Sequence, residues 1–210
     1  MFSYSIFLSE EEKKHKTLHA FDMDETLFAH DPKKLKIHVK DETGKKVQSL
    51  TNQEFNTHTL EPGHSYDFSD FKSAEKLHKT ARPIRKMLAK MKAIHRNGGK
   101  TEILTARSDF DSKEKFGHFM KSYGIDINKI HVRRAGNNPG RPSDTKKKIV
   151  SDLVKKHGYK EVHLYDDSHE NLQKFLSLKD EHPHVNFVAH HVDHNHDTGE
   201  THIRTVQRQK

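Results

Sequence analysis

The run Leu18-His-Ala-Phe-Asp-Met-Asp-Glu-Thr-Leu27 constrains this chain more than any other segment, because it sets two carboxylates two residues apart directly after a short apolar stretch. Such a stretch reads as a buried strand, and Asp22 and Asp24 then fall where it ends. Ligands of open α/β sheets bind at the carboxyl ends of the strands, so acids there are placed for chemistry rather than packing. Strand side chains alternate with period two, which starts Asp22 and Asp24 on one side, with Thr26 continuing the series. Two carboxylates so close repel unless a cation lies between them. A hard divalent ion such as Mg²⁺ answers that repulsion, since it takes oxygen ligands and keeps positions for water and a phosphate. The plainer reading is a strand end whose solvated acids cap a turn or a helix.

Three further segments weigh against the plainer reading. Thr101-Glu-Ile-Leu-Thr-Ala-Arg107 is a second apolar strand, ending in a hydroxyl at Thr105 suited to a phosphate oxygen, with Arg107 two residues on as a candidate substrate contact. Val162-His-Leu-Tyr-Asp-Asp-Ser168 is a third, ending in the paired acids Asp166 and Asp167. Between them, Pro142-Ser-Asp-Thr-Lys-Lys-Lys-Ile-Val150 reads as a helix start with Ser143 or Asp144 as N-cap and lysines in the first turn. Lysine opposes the macrodipole at a helix N-terminus, so its presence there points to an anionic partner.

In that order, the four segments resemble the haloacid dehalogenase superfamily of phosphotransfer enzymes, over Leu18 to about Leu178. The resemblance implies Asp22 as nucleophile, Asp24 as general acid and base, Thr105 as a phosphate-binding hydroxyl and one lysine of the 146–148 triplet as the charge-neutralising cation. It also implies Mg²⁺ as cofactor, held among Asp22, Asp24, Asp166 and Asp167. The chemistry is coherent: an aspartate attacks phosphorus, which divides one difficult displacement into two easier ones, and nearby cations neutralise the transferring group. An acid at position 24 goes, in that superfamily, with phosphatases and phosphotransferases.

Two details depart from the family pattern. Spacing favours Lys146 within the triplet, since it lies twenty residues before Asp166, with Lys147 in reserve. The fourth motif is Asp-Asp followed by Ser168, His169, Glu170 and Asn171, where a common family form is Gly-Asp with an acid four residues on. Either Asp166 or Asp167 is then the direct ligand, with Glu170 or Asn171 behind it.

The rest of the chain alternates strands and helices, which predicts an α/β fold: a three-layer, Rossmann-like parallel sheet with helices on both faces. Strands are expected near 17–22, 101–106, 129–134, 162–166 and 185–190, and helices near 83–97, 109–123, 144–157 and 168–178. Pro83 suits a first helical turn, and Asn97-Gly98-Gly99 a stop. Residues 30–79 break the rhythm, with a hairpin over Ile37 to Leu50 turning at Thr43-Gly44, a short helix after a Thr51 cap, and a loop at Pro62-Gly63. This division gives a core of residues 1–29 and 80–210 and, between the first and second motifs, a small cap insert of residues 30–79, where many enzymes of the superfamily carry the element that gates the site.

Composition bounds the remainder. With 31% apolar residues in 210 and a formal charge of +8, the core is compact and the helices heavily solvated, and anionic partners are favoured. The absence of cysteine excludes a disulfide framework and fits a cytoplasmic protein, in a host's cytoplasm if the chain is of phage origin. The apolar opening Met1 to Leu8 lacks a basic flank and does not read as a signal peptide, and no membrane partner is expected. The loop Arg133-Arg134-Ala-Gly-Asn-Asn-Pro-Gly-Arg141 leads from a strand end towards Lys146, which makes Arg133, Arg134 and Arg141 candidate contacts for a nucleic-acid backbone or a second phosphate. Tyr66, Phe68 and Phe71 in the insert are expected to pack its core, with base stacking as the other use. Twenty histidines, many near the C-terminal end, suggest a metal site, but crowding does not supply a tetrahedral ligand set. Asp193-His-Asn-His-Asp-Thr-Gly199 brings to mind ββα nucleases, yet no cysteines or convincing helix follow, and a polar strand or hairpin closing the sheet edge is expected.

These readings converge on a Mg²⁺-dependent phosphohydrolase whose phosphorylated substrate is a nucleotide or polynucleotide end. Leu164-Tyr-Asp-Asp-Ser-His-Glu-Asn-Leu172 looks similar to haloacid dehalogenase modules of phage and nucleic-acid-repair proteins. The alternatives are a metabolite phosphatase selected by its cap and a non-catalytic nucleic-acid-binding module on the same scaffold.

Overall fold

A computed structural model describes residues 16–31 and 33–209; the opening segment Met1 to Leu8 lies outside them. The chain begins with β1 (Thr17–Phe21) and β2 (Phe28–His30), then β3 (Ile37–Lys40), β4 (Lys46–Leu50), α1 (Asn52–Thr57), β5 (Ser65–Asp67), α2 (Ser69–Lys72) and α3 (Ala74–Thr80). It continues through β6 (Ala81–Pro83), α4 (Arg85–Arg96), β7 (Lys100–Thr105), α5 (Lys113–Ser122) and β8 (His131–Arg134). It closes with α6 (Pro142–His157), β9 (Glu161–Asp166), α7 (His169–Leu176), α8 (Leu178–Glu181), β10 (Asn186–His194) and β11 (Thr201–Val206).

Six strands form one sheet in the order β11-β10-β9-β1-β7-β8, parallel except for the last strand, which pairs antiparallel with β10. Period-two alternation sends side chains to two cores. Leu18 and Ala20 of β1 and Val162 and Leu164 of β9 join Val150, Leu153, Leu172 and Phe175 from α6 and α7. On the other face, Phe21, Ile103 and Tyr165 pack on Met87 and Met91 of α4 and Phe116 and Phe119 of α5. The sheet is thus the middle of three layers, with β1 and its acids near the centre.

Residues of the insert form a separate three-stranded sheet, β4-β3-β5. Its apolar cluster is Ile37, Val39 and Leu50, with Phe55, Leu60, Tyr66 and Phe71 packed against it. Phe68 is the exception and is exposed. The turn falls where the sequence places it, with Gly44 at φ +80, and Thr51 caps α1 in a reciprocal pair with Glu54.

Several boundaries differ from the sequence expectation. Pro83 lies in β6, paired antiparallel with β2, rather than in a helical turn; the two-stranded ribbon tolerates its missing N–H. Helix α5 starts at Lys113 instead of 109, because Asp111 is tied to the insert through its amide to Lys72 O and its carboxylate to the amide of Ala74. Helix α6 starts at Pro142 behind Arg141, so Ser143 and Asp144 lie inside it and Lys146 opens its second turn. Proline at the first helical position fits there because that turn's amide would have no partner anyway. At the far edge, β10 and β11 form the polar hairpin expected of the histidine-rich segment. No helix among the described residues is long and apolar enough to cross a membrane.

Candidate active site

Register brings the first and fourth motifs together. Phe21 of β1 lies opposite Tyr165 of β9, and the Asp22 amide donates to Tyr165 O at 2.8 Å, so Asp22 and Asp166 emerge side by side at the carboxyl edge. Lys146 reaches them from α6, its Nζ 2.7 Å from Asp22 Oδ1 and 2.8 Å from Asp166 Oδ2. All three side chains are buried. Lys147 points elsewhere and pairs with Glu181.

One carboxylate oxygen from each of Asp22, Asp166 and Asp167 lies within 4.8 Å of the others. Asp166 is fully engaged: the Ser168 amide and the Asn171 side-chain amide donate to Oδ1 at 2.9 Å, and Asn171 also to Oδ2 at 3.1 Å. Among the described residues none donates to the Asp167 carboxylate, which leaves that group the freer oxygen donor. Burial pushes Asp22 up to about 7, with Lys146 opposing and Asp166 adding to the rise. Burial, then the charges of Asp166 and Asp22, push Asp167 well above the usual carboxylate range. Burial works against the charge on Lys146, but Asp166 and Asp22 outweigh it and hold the ammonium above its ordinary range. Three acids sharing one lysine remain short of positive charge, and an all-oxygen donor set fits a hard divalent cation.

Asp24 faces another way. After Phe21 the chain leaves the sheet through a turn in which Glu25 adopts φ 55, so strand alternation no longer governs where Asp24 points. Its carboxylate is gripped by Arg107, with Nε 2.8 Å from Oδ2 and Nη2 2.7 Å from Oδ1. The buried His30 adds Nε2 at 2.6 Å from Oδ1. Burial alone would raise Asp24, but Arg107 and His30 outweigh it and hold the group well below the usual carboxylate range. Asp24 is therefore not among the clustered oxygens expected around one ion. Arg107 also donates Nη1 to Phe71 O at 2.7 Å and lies over the Phe71 ring, so one guanidinium joins the insert to the first motif. His30 had no sequence signal beyond its position six residues after Asp24.

Thr105 is fully buried at the end of β7, and its hydroxyl accepts the Arg107 amide at 3.1 Å. The loop after β8 packs tightly against this turn: a Cβ on Gly136 would lie 2.3 Å from Ala106 O and 2.6 Å from Ser108 N. The arginines of that loop do not converge on the acids. Arg133 runs back along the sheet to Glu102, with Nε 2.8 Å from Oε2, because the strand pairing puts it on that side of β7. Arg134 pairs with Asp109 at 2.9 Å and lies over Phe110 and Phe116. Arg141 is exposed, 3.7 Å from Glu170.

The β10–β11 hairpin forms another border. His191 Nε2 lies 3.0 Å from Asp167 O, and its ring stacks on His169 with centroids 4.1 Å apart. Further out, His196 Nε2 lies 2.7 Å from Glu25 Oε2, tying the hairpin to the first-motif turn. The sequence favours a polar edge hairpin for this histidine-rich segment, with metal binding as the other use, and gives no sign that it borders the acids. Its approach to the acids follows from β10 continuing past the register position where His191 faces Asp166. No protein-family model matches the chain, and no curated protein matches it significantly.

Proposed function

We propose that this protein is a Mg²⁺-dependent phosphohydrolase of the haloacid dehalogenase type, acting through an aspartyl-phosphate on a phosphate monoester of a nucleotide or polynucleotide end. The observation that carries the reading is Lys146 Nζ bridging Asp22 and Asp166, with Asp167 alongside, at the carboxyl edge of a mostly parallel sheet. Asp22, Asp166 and Asp167 would hold Mg²⁺, which when bound neutralises charge on the acids and on the phosphoryl group.

The chain's own residues divide the rest. Lys146 fixes Asp22 Oδ1, which leaves Oδ2 as the attacking oxygen; it forms a bond to phosphorus as the bond to the leaving oxygen breaks. Asp24 supplies the proton to that oxygen and then takes one from the water that attacks the aspartyl-phosphate, releasing phosphate and regenerating Asp22. Gripped by Arg107, Asp24 holds a proton poorly, so the grip has to relax when substrate arrives. A phosphate dianion competes for the same guanidinium, which makes Arg107 a substrate contact and a release for Asp24 at once.

The substrate class divides on a second observation. Arg133 and Arg134 are already paired with Glu102 and Asp109, which favours a small phosphate monoester over a long polynucleotide backbone on that side. A hydrolysis screen with Mg²⁺ over mononucleotides, 3′- and 5′-phosphorylated oligonucleotides and sugar phosphates tests the proposal, with Asp22→Asn as control. Release of phosphate by wild type, none by Asp22→Asn, and hydroxylamine capture of a phosphorylated Asp22 are expected. Hydrolysis unchanged in folded Asp22→Asn removes the phosphoaspartyl route.

A further inference from the structure

We propose that the exposed face of the His169–His191 stack is a platform on which the base of a nucleotide substrate lies, a specificity element that rests on the phosphohydrolase reading above. Three placements support it. His191 sits in β10 opposite Asp166 in the strand register, and its Nε2 contact with Asp167 O at 3.0 Å fixes the ring beside the acid cluster. His169 opens α7 directly after Asp167 and Ser168, and its ring lies parallel to His191, with centroids 4.1 Å apart and planes 20° apart. His169 is exposed, and among the described residues neither of its nitrogens has a hydrogen-bond partner.

The other residues of this helical turn are already committed. Asn171 holds Asp166, and Glu170 accepts the Ser143 hydroxyl at 2.7 Å. Other histidines near the site are also engaged: His30 with Asp24, His194 with Thr201 and His196 with Glu25. His169, backed by the half-buried His191, differs in presenting a flat, solvent-facing heterocycle next to the acids that would bind the phosphate. In a nucleotide, a sugar separates phosphate from base, and a ring beside the phosphate site is where that base arrives. Stacking accepts any base, since each has a π face, so the platform would select for the presence of a base rather than its identity.

The test compares KM for adenosine monophosphates with KM for ribose 5-phosphate in wild type, His169→Ala and His169→Phe. The ratio of the two KM values is expected to favour the base-bearing substrate in wild type, to fall by about fivefold or more in His169→Ala, and to return in His169→Phe. A ratio unaltered by His169→Ala overturns the platform. Should wild type hydrolyse neither substrate, the platform is read by binding alone. Adenosine 5′-monophosphate added to Asp22→Asn protein with Mg²⁺ is then expected to shift the His169 ring protons upfield in NMR spectra, while ribose 5-phosphate leaves them in place. Absence of that difference overturns the platform independently of turnover.

Discussion

Asp24 and Arg107 are joined by a forked ion pair, 2.8 Å from Nε to Oδ2 and 2.7 Å from Nη2 to Oδ1, across 83 residues of sequence. Arg107 is buried, and its remaining nitrogen, Nη1, donates to a backbone carbonyl of the insert. The pair therefore fixes three things together: the turn after β1, the turn after β7 and the nearest helix of the insert.

Removing one partner of such a pair strands the other charge in a poorly solvated place. Arg107→Ala is expected to destabilise the fold by about 3–5 kcal/mol in urea denaturation. Asp24→Asn combined with Arg107→Ala should lose clearly less than the sum of the single changes. Strict additivity in that double-mutant cycle refutes the coupling.

Lys146 is the only cation within hydrogen-bond reach of Asp22 and Asp166 among the described residues. Lys146→Met leaves two buried acids facing each other and is expected to cost about 3–5 kcal/mol in metal-free buffer. Millimolar Mg²⁺ should recover part of that loss. A Tm indistinguishable from wild type sinks the prediction.

The proposed Mg²⁺ site has its own expected signature in wild-type protein. Binding to the folded state alone raises stability by about 2.7 kcal/mol at a hundredfold excess over Kd, so Tm should climb with Mg²⁺ concentration. Asp167→Asn is expected to flatten the climb, since its carboxylate is the freer donor of the cluster. An Asp167→Asn titration that follows the wild-type curve assigns the ion elsewhere.

A column of rings on the α4 face gives the fold an acid-sensitive element. His19 stacks on His163 at 4.5 Å, His163 on His190 at 5.3 Å, and Tyr165 on His190 at 4.4 Å. Burial first, then His163 and Lys90, push His19 and His190 down from 6.5 to about 4, while Glu161 pulls His19 the other way. The unfolded chain takes up protons near pH 6.5 that the folded state refuses until about 4. Stability should be full above pH 6.5 and fall as pH drops towards 4. His19→Phe keeps a ring in the column and should make that decline shallower. An unchanged slope removes His19 from the account.

Gly136 tests the seat of the second-motif turn. Any side chain there meets the backbone of Ala106 to Ser108, which has no flexible end to move aside. Gly136→Ala is expected to cost about 1–3 kcal/mol through overpacking and to disturb the Arg107 ring contacts. Wild-type stability in that variant refutes the close approach.

Strand-end acids were legible because several apolar runs in succession each end in a carboxylate or a hydroxyl, and the segments near 17–22, 101–106 and 162–166 all form central strands. Residues whose role depends on a partner far along the chain were not. Arg133 and Arg134 look like a basic loop until β7–β8 register delivers Glu102 and the next loop delivers Asp109. Asp24 looks like a twin of Asp22 until the turn at Glu25 rotates it towards His30 and Arg107. The three-residue strand at Ala81–Pro83 is too short to leave a period, and Arg141 caps α6 without a side-chain bond that sequence could announce.

The sheet order carries a consequence for the timing of assembly. β1 is made early but lies between β7 and β9, and its Asp22 meets Lys146 across 124 residues. During synthesis the first strand has neither neighbour until β7 leaves the ribosome, and Asp22 has no counter-charge until α6 follows. The Asp22–Lys146–Asp166 cluster is thus a late event, and a nascent chain stalled before residue 146 would hold a β1 that lacks its β9 neighbour and ends in an uncompensated Asp22. Chaperone dependence should accordingly peak in the interval between the emergence of β1 and that of α6.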